Sequence, residues 1–267
     1  MDTLVCFHAH PDDESIATGG VMAQAAAAGR RVVLVLGTRG ELGEVDEGFL
    51  DEGETLRDRR IKETAASAET LGIARVEYLG YVDSGMMGEP TNDDPACFWQ
   101  ADVDEAAGRL ADILSDEAPV VLTVYDDHGG YGHPDHIQVH RVGIRAAEMV
   151  GVSRVFEATM NRDAMRRSFE EHREEFADVV GEDELPDVDG PDAFGTPEAQ
   201  ITHAVDVSKF ADAKRASMRC HASQIAEEDF FLRMPDEMFI EAFGHEWFIA
   251  RGQPRSADAP FGSTLFA

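Results

Sequence analysis

Apolar and polar positions along the first two-thirds of the chain follow two alternating patterns. The first pattern is a short apolar or β-branched run of strand length, which covers residues 4–8, 31–36, 76–79, 120–125 and 154–159. The second is a longer stretch with helical spacing, which covers residues 14–28, 55–71, 102–116 and 134–150. Strand–helix alternation at this spacing predicts an α/β fold with a doubly wound, mostly parallel sheet.

The pattern changes after about residue 160. Residues 168–200 are dominated by Glu, Asp, Pro and Gly, which predicts a charged helix and then a long loop, either a lid or a solvated insertion. The aromatic and methionine stripe of residues 230–248 is more typical of a core or a subunit interface than of a ligand pocket. A homo-oligomer is therefore one of the assemblies that this sequence allows. We expect residues 1–160 to form the α/β core. Residues 161–267 would complete the same domain with an acidic insertion and C-terminal helical and strand elements.

The charge balance narrows the classes of partner. The chain has 53 acidic and 23 basic residues and a formal net charge of −30 over 267 residues. A surface this negative repels phosphate backbones and anionic lipids, so we expect neither nucleic acid nor a membrane as a partner. Because the acids are spread along the whole chain, solubility explains them better than steering of a cationic ligand.

The cysteines and the first residues indicate the compartment. Cys6, Cys97 and Cys220 are odd in number, far apart and without CxxC spacing, which fits reduced thiols better than a disulfide framework. Residues 1–9 have no basic segment or cleavage signal, and no apolar run approaches the roughly 18 residues of a membrane-spanning helix. We therefore expect a cytoplasmic protein.

Two similar tetrads follow two of the predicted strands. The first is His10–Pro11–Asp12–Asp13 and the second is His133–Pro134–Asp135–His136. In each, proline suits the first helical position, where its missing N–H costs nothing. Because the carboxyl ends of parallel strands share one edge of a sheet, both tetrads should meet there. Histidine and carboxylate side chains together are ligands that zinc prefers, so the pattern predicts a metal site.

Helical spacing suggests how the tetrads divide the work. Residues i and i+3 lie on one side of a helix, so His10 and Asp13 can bind one ion while Asp12 stands free as a base. The same rule pairs His133 with His136, and spacing leaves open whether His133 is a ligand or a catalytic acid. His140, one turn after His136, is expected to support the site or lie on the helix surface.

Several segments resemble one known family. Residues 9–14 and 130–136 resemble the two signatures of the LmbE/PIG-L de-N-acetylases, which include deacetylases of glucosaminyl-inositol compounds and enzymes of the mycothiol and bacillithiol pathways. The likeness covers most of residues 4–150 and a patch near residues 214–224, with further similar segments at residues 38–44, 60–72 and 83–86. Residues 160–200 show no such likeness.

The resemblance implies a Rossmann-like sheet and a single divalent ion, usually zinc, with iron(II) suited to a reduced cytosol. His10, Asp13 and His136 match the family's metal ligands, and Asp12 matches its general base. The implied ligand count is therefore three, which leaves one coordination position for water.

The resemblance also implies roles around the reacting amide. His133 matches the residue that stabilises the oxyanion or protonates the leaving amine, and Asp135 is expected to orient it and keep it cationic. Tyr131 matches a mobile tyrosine that polarises the carbonyl. The expected substrate contacts are Glu44, Arg60 and Asp83. The alternatives are that Arg60 pairs with Glu63, and that Glu44 and Asp83 are ordinary loop acids.

Together these patterns predict a metal-dependent hydrolase that removes an N-acetyl group from a small amide, an N-acetylglucosamine-type sugar conjugate. Metal-activated water attacks the amide, and Asp12 accepts its proton. One alternative is an amidase that cleaves a mycothiol-like thiol conjugate. Another is a non-catalytic sugar- or nucleotide-binding module, although residues 37–43 lack the GxGxxG pattern of a dinucleotide site.

Overall fold

Seven strands form one sheet in this computed structural model, which describes residues 2–171, 194–256 and 258–267. The strands are β1 (Thr3–His8), β2 (Arg31–Leu36), β3 (Arg75–Tyr78), β4 (Val121–Tyr125), β5 (Val155–Thr159), β6 (His203–Asp206) and β7 (His245–Ala250). Their order across the sheet is β3-β2-β1-β4-β5-β7-β6. The pairs among β1 to β5 are parallel, whereas β7 runs antiparallel to both β5 and β6. The predicted α/β fold with a mostly parallel sheet is confirmed.

Helices cover both faces of the sheet, as the doubly wound prediction requires. They are α1 (Asp13–Ala17), α2 (Gly19–Ala27), α3 (Leu56–Leu71), α4 (Val103–Glu117), α5 (Gly129–Gly132), α6 (Pro134–Val150), α7 (Arg162–Glu171), α8 (Ala211–Cys220), α9 (Phe230–Arg233) and α10 (Asp236–Phe243). Val5 and Phe7 of β1 pack with α4 and α6, while Leu4 and Cys6 pack with α2 on the other face. Because successive side chains of β1 point to opposite faces of the sheet, this strand contributes to two separate apolar layers.

The single helix predicted over residues 14–28 is wrong, because the chain breaks it at Thr18. This residue has φ −138° and ψ 9°, and its hydroxyl lies 2.7 Å from Nε2 of His8 in the neighbouring strand. The second helix then begins afresh at Gly19, and the Glu246 carboxylate accepts the N–H groups of Gly20 and Val21 at 2.7 and 2.8 Å. A tertiary contact, rather than local spacing, decides where this helix begins.

The aromatic stripe of the C-terminal part belongs mainly to the core. Met234, Phe239 and Phe243 are buried in an apolar cluster with α8, and Phe248 of β7 packs against the sheet. Of the acidic stretch at residues 168–200, the part at 172–193 lies outside the described residues. Across the part of the chain that the structure describes, no helix combines the length and apolar character needed to span a bilayer.

Candidate metal centre and active site

The first tetrad lies directly after β1. His10 is 8% exposed, and its main-chain N–H donates to Oδ2 of Asp13 at 2.8 Å. Asp12 precedes α1 with φ +95°, a backbone region that residues other than glycine rarely adopt. This turn separates the two carboxylates, since Asp13 faces the histidines while Asp12 contacts Arg60.

The second tetrad lies beyond the end of β4, after a short helical turn rich in glycine. His133 is the N-cap of α6, and its Nδ1 accepts the main-chain N–H of Asp135 at 3.1 Å. Pro134 takes the first helical position, as predicted, whereas Pro11 lies in the turn before α1, so the same prediction for the first tetrad is wrong. His136 is 3% exposed, and its ring stacks on Tyr125 with centroids 4.4 Å apart, which fixes the direction of the imidazole.

The two tetrads converge on Asp13. Oδ2 of Asp13 lies 3.4 Å from Nδ1 of His10, and its Oδ1 lies 3.4 Å from Nε2 of His136. That Nε2 atom is buried and has no hydrogen-bond partner among the described residues. A buried imidazole nitrogen left bare beside a carboxylate fits a metal ligand, because a neutral ring offers a metal just such a lone pair. The donor set therefore suits a divalent ion.

Ligand atoms also cluster more widely around His10. Within the described residues, two sets of side chains bring potential ligand atoms within 4.8 Å of one another, namely His10 with His133 and His136, and His10 with Asp83 and Asp135. Nε2 of His10 lies 3.1 Å from Asp135 and 3.6 Å from Asp83. Nδ1 of His10 faces Asp13, and its Nε2 is held by carboxylates. A histidine that binds a metal through one ring nitrogen commonly has the other nitrogen held by a carboxylate in this way.

The charges in this cluster favour binding of a cation. Burial opposes ionisation, but hydrogen bonds with Asp13, Asp135 and Asp83 raise the pKa of His10 well above its usual value. Burial likewise opposes the charge of Asp13, yet the His136 and His10 imidazoles hold its pKa well below its usual value. A proton on His10 therefore balances the negative charge of the surrounding carboxylates. A bound metal ion would balance the same charge.

Asp12 is the carboxylate that remains outside this cluster. Its Oδ2 accepts a hydrogen bond from Nη2 of Arg60 at 3.0 Å. Burial raises the pKa of Asp12 to about 6, against the opposing effect of the Arg60 charge. A carboxylate with a pKa near the working pH is well matched to accept a proton from water and release it later.

Asp135 contacts His133 as expected, but through its main chain rather than its carboxylate, and the expectation that it keeps His133 cationic stays a prediction. The carboxylate contacts the Ser84 hydroxyl and main-chain N–H, as well as His10. Asp135 meets His133 through the main chain instead, and because an N–H can only donate, Nδ1 of His133 is an acceptor and its proton sits on Nε2. Burial and the nearby His10 and His136 lower the pKa of His133 to about 4. With Nδ1 accepting, Nε2 is the nitrogen of His133 that can donate a hydrogen bond.

Tyr131 forms one wall of the site. Its ring is 45% exposed and lies edge-on to His136, with centroids 5.0 Å apart. Gly130 and Gly132 on either side both have positive φ, which a residue with a side chain would adopt only under strain. Tyr131 also stacks on Phe194, with ring centroids 6.0 Å apart, and the N–H of Gly195 donates to the carbonyl of Gly130.

The three expected substrate contacts lie in different settings. Arg60 is only 3% exposed and donates to the carbonyls of Pro11 and Gly40 and to Asp12, so it lies behind the base rather than at an open surface. Asp83 is buried beside His10, where its carboxylate also accepts the N–H groups of Leu42 and Gly85. Glu44 is exposed, and its carbonyl accepts a hydrogen bond from Gln224.

The pairing of Arg60 with Glu63 is absent from the described contacts, since the Glu63 carboxylate accepts the N–H and hydroxyl of Ser223. His140 is held outside the cluster by a hydrogen bond from Nδ1 to the Tyr125 carbonyl at 2.9 Å. This contact agrees with the supporting position that we expected for it.

Three residues of the site were not singled out from the sequence. Ser84 holds Asp135, and the buried Glu14 and His221 form an ion pair of 2.7 Å beneath Asp12. Glu14 and His221 both lie in segments that carry the family resemblance, but nothing in their spacing shows that residues 207 positions apart meet. Ser84 follows Asp83, and its partner lies 51 positions away.

The family model described as PIG-L, GlcNAc-PI de-N-acetylase, matches residues 5–147. A 1D-myo-inositol 2-acetamido-2-deoxy-alpha-D-glucopyranoside deacetylase from Acidothermus cellulolyticus is 42% identical over 99% of this chain and 94% of its own length.

Two solved structures share the fold at 20% identity. One is an N,N'-diacetylchitobiose deacetylase from Pyrococcus horikoshii, with a TM-score of 0.57 over 93% of this chain and 83% of its own. The other is the 4-carboxy-2-hydroxymuconate hydratase GalB from Pseudomonas putida KT2440, with a TM-score of 0.62 over 97% of this chain and 100% of its own. Because proteins with different activities share this architecture, the fold alone does not define the reaction. The family match and the high identity of a full-length relative show that the chain belongs to the PIG-L family of de-N-acetylases.

Proposed function

We propose that this protein is a divalent-metal-dependent hydrolase that removes the acetyl group from 1D-myo-inositol 2-acetamido-2-deoxy-α-D-glucopyranoside. The substrate comes from the name of the relative that is 42% identical along nearly the whole chain. The observation that carries the chemistry is the convergence of His10 and His136 on Asp13, with Nε2 of His136 buried and bare, beside the separate carboxylate of Asp12.

His10, Asp13 and His136 would hold the ion, and zinc suits their nitrogen and oxygen atoms, with iron(II) as the alternative in a reduced cytoplasm. When bound, such an ion acidifies water and polarises a carbonyl. Cys6, Cys97 and Cys220 are all free thiols, which supports a reduced, cytoplasmic setting.

The protein's own side chains supply the proton transfers. Asp12 accepts a proton as water adds to the acetyl carbonyl carbon, and Arg60 holds its carboxylate in place. Negative charge develops on the carbonyl oxygen, and Nε2–H of His133 and the hydroxyl of Tyr131 are the donors that stabilise it. The C–N bond then breaks as the proton held by Asp12 passes to the leaving nitrogen. The products are acetate and a free amine.

The test measures bound metal and acetate release by the purified protein. The substrates are N-acetylglucosamine, its inositol glycoside and an N-acetylcysteine conjugate. We expect about one metal per chain, acetate release that a chelator abolishes, and the highest kcat/KM on the inositol glycoside. His136→Ala should lose the metal, whereas His140→Ala, one turn further along the same helix, should keep it.

Each failure of this test has a distinct meaning. A folded wild-type protein that binds no divalent metal would refute the proposed centre. Bound metal with preferred cleavage of the thiol conjugate would replace the proposed substrate with that of an amidase. Bound metal without hydrolysis of any amide would contradict the proposed reaction.

A further inference from the structure

The side chain of Glu14 lies directly beneath the proposed base and is completely buried. Its Oε2 accepts the main-chain N–H of Asp12 at 3.0 Å. Its Oε1 accepts hydrogen bonds from Nε2 of His221 at 2.7 Å and from the Ser67 hydroxyl at 2.6 Å. The Ser15 hydroxyl is a third donor to this oxygen at 3.2 Å. One carboxylate oxygen is thus anchored to the protein interior, and the other points at Asp12.

The contact acts on a single peptide group. The N–H of Asp12 and the carbonyl of Pro11 belong to the same planar peptide, and the carbonyl accepts a hydrogen bond from Nη2 of Arg60. Glu14 therefore holds one side of this plane and Arg60 holds the opposite side. Both partners are themselves fixed by burial, with Arg60 only 3% exposed.

This peptide plane determines where the Asp12 carboxylate points. The next rotatable bond along the chain is N–Cα of Asp12, whose φ is +95°. That angle is unfavourable for a residue with a Cβ atom, so it persists only where surrounding contacts impose it. A relaxation to negative φ would swing the side chain away from its position next to Asp13 and Arg60.

We propose that Glu14 is a positioning residue for this reaction, which clamps the Pro11–Asp12 peptide together with Arg60 and so aims the Asp12 carboxylate. The role rests on the proposed function, in which Asp12 is the base. His221 and Ser67 act one step further back, since they hold the Glu14 carboxylate in the orientation that reaches Asp12.

Glu14→Gln is the variant that tests the clamp while keeping the shape of the side chain. An amide has one accepting oxygen, and the Oε1 position faces three donors, so the amide oxygen should turn to that position. The NH₂ group would then meet the N–H of Asp12, donor against donor, and the clamp would be lost. Glu14→Asp, which withdraws the carboxylate by one methylene but keeps its charge beside His221, is the second variant.

Glu63→Gln is the matched control. Glu63 is also a buried carboxylate that accepts a main-chain N–H and a hydroxyl, but both belong to Ser223 rather than to Asp12. For Glu14→Gln in the metal-loaded protein we expect kcat to fall on the order of a hundredfold, because a displacement of about 1 Å has this effect. KM and metal content should change little, and Glu63→Gln should stay within about threefold of wild type in kcat.

The Asp12→Asn background separates positioning from general damage. If Glu14 acts through Asp12, adding Glu14→Gln to Asp12→Asn should lower kcat no further. A full, multiplicative loss in the double variant would overturn the proposal, as would equal losses in Glu14→Gln and Glu63→Gln.

A second measurement does not depend on turnover. Hydrogen exchange at the Asp12 amide, followed by NMR on the metal-loaded protein, should be slow in wild type and Glu63→Gln and much faster in Glu14→Gln and Glu14→Asp. Wild-type protein that hydrolyses no amide would refute the proposed function, while the exchange rates would still decide whether the clamp exists. Unchanged protection of Asp12 in both Glu14 variants would mean that there is no clamp.

Discussion

At the scale of single residues, the neighbouring carboxylates Asp12 and Asp13 have different surroundings and therefore different chemistry. Asp13 lies between two imidazoles, which stabilise its charge, whereas burial raises the pKa of Asp12 to about 6. We expect Asp12→Asn to bind the same amount of metal as wild type. Its kcat should fall about 10²- to 10⁴-fold, because an amide cannot accept the proton of water.

The matched variant for this prediction is Asp13→Asn, one position along. It replaces the carboxylate that faces His10 and His136, so we expect it to lose metal as well as activity. Metal analysis and steady-state kinetics on the two proteins distinguish the roles. Loss of metal from Asp12→Asn would show that the division between base and ligand is wrong.

The sequence identifies the residues of the site, but it does not indicate their protonation states. His10, Asp12, Asp13 and His136 follow from two motifs whose strand ends share an edge of the sheet. The state of His133 depends instead on which group of Asp135 reaches it, the main-chain N–H or the carboxylate. That choice is made by Ser84, which binds the carboxylate from a distant loop. Spacing along one helix contains no information about such a partner.

At the scale of elements, Tyr131 belongs to a glycine-rich turn whose position depends on another segment. Phe194 stacks on its ring, and Gly195 is hydrogen-bonded to Gly130. We expect Phe194→Ala to lower kcat/KM about tenfold by releasing the tyrosine, and Phe194→Tyr to restore most of it, since aromatic stacking is worth roughly 0.5–1.5 kcal/mol. Equal kinetics for wild type and Phe194→Ala, measured on one preparation of substrate, would disprove this dependence.

The break between α1 and α2 shows what local spacing cannot provide. Alanine-rich residues 14–28 have a continuous helical pattern, yet Thr18 bonds to His8, and Glu246 caps the new helix start. Most strands and the longer helices were predicted within a few residues because their apolar periodicity is intrinsic. The order of the strands needs pairing between residues as far as 117 positions apart, and the cap from Glu246 joins residues 226 positions apart.

Glu246 therefore links β7 to α2. It is 3% exposed and also binds Nζ of Lys214, itself 1% exposed, at 2.6 Å. Glu246→Gln should lower the free energy of unfolding by about 3–5 kcal/mol, because it leaves a buried ammonium without its counter-charge. Urea unfolding measures this loss.

The control for the buried pair is an exposed one. Asp104→Asn removes the partner of Arg145 from a pair whose side chains are 68% and 43% exposed, so its effect on stability should be small. If Glu246→Gln were as stable as Asp104→Asn, the Lys214–Glu246 pair would not stabilise the packing of α8 against β7.

At the scale of the whole molecule, the net charge of −30 opposes the compact state. Carboxylates distributed over the whole surface repel one another at distances that salt can screen, since the Debye length falls from about 10 Å at 0.1 M to about 3 Å at 1 M. We therefore expect the thermal unfolding midpoint to rise by several degrees when NaCl is raised between these concentrations.

A charge-reduced variant tests whether repulsion is the cause. Glu47, Glu69, Asp112 and Asp116 are exposed and form no ion pair with a residue that the structure describes. Replacing all four by their amides should raise the unfolding midpoint at 0.1 M and make its dependence on NaCl shallower, because less repulsion remains to be screened. The same slope in both proteins would mean that salt acts through apolar burial. The acidic surface would then serve solubility at no measurable expense in stability.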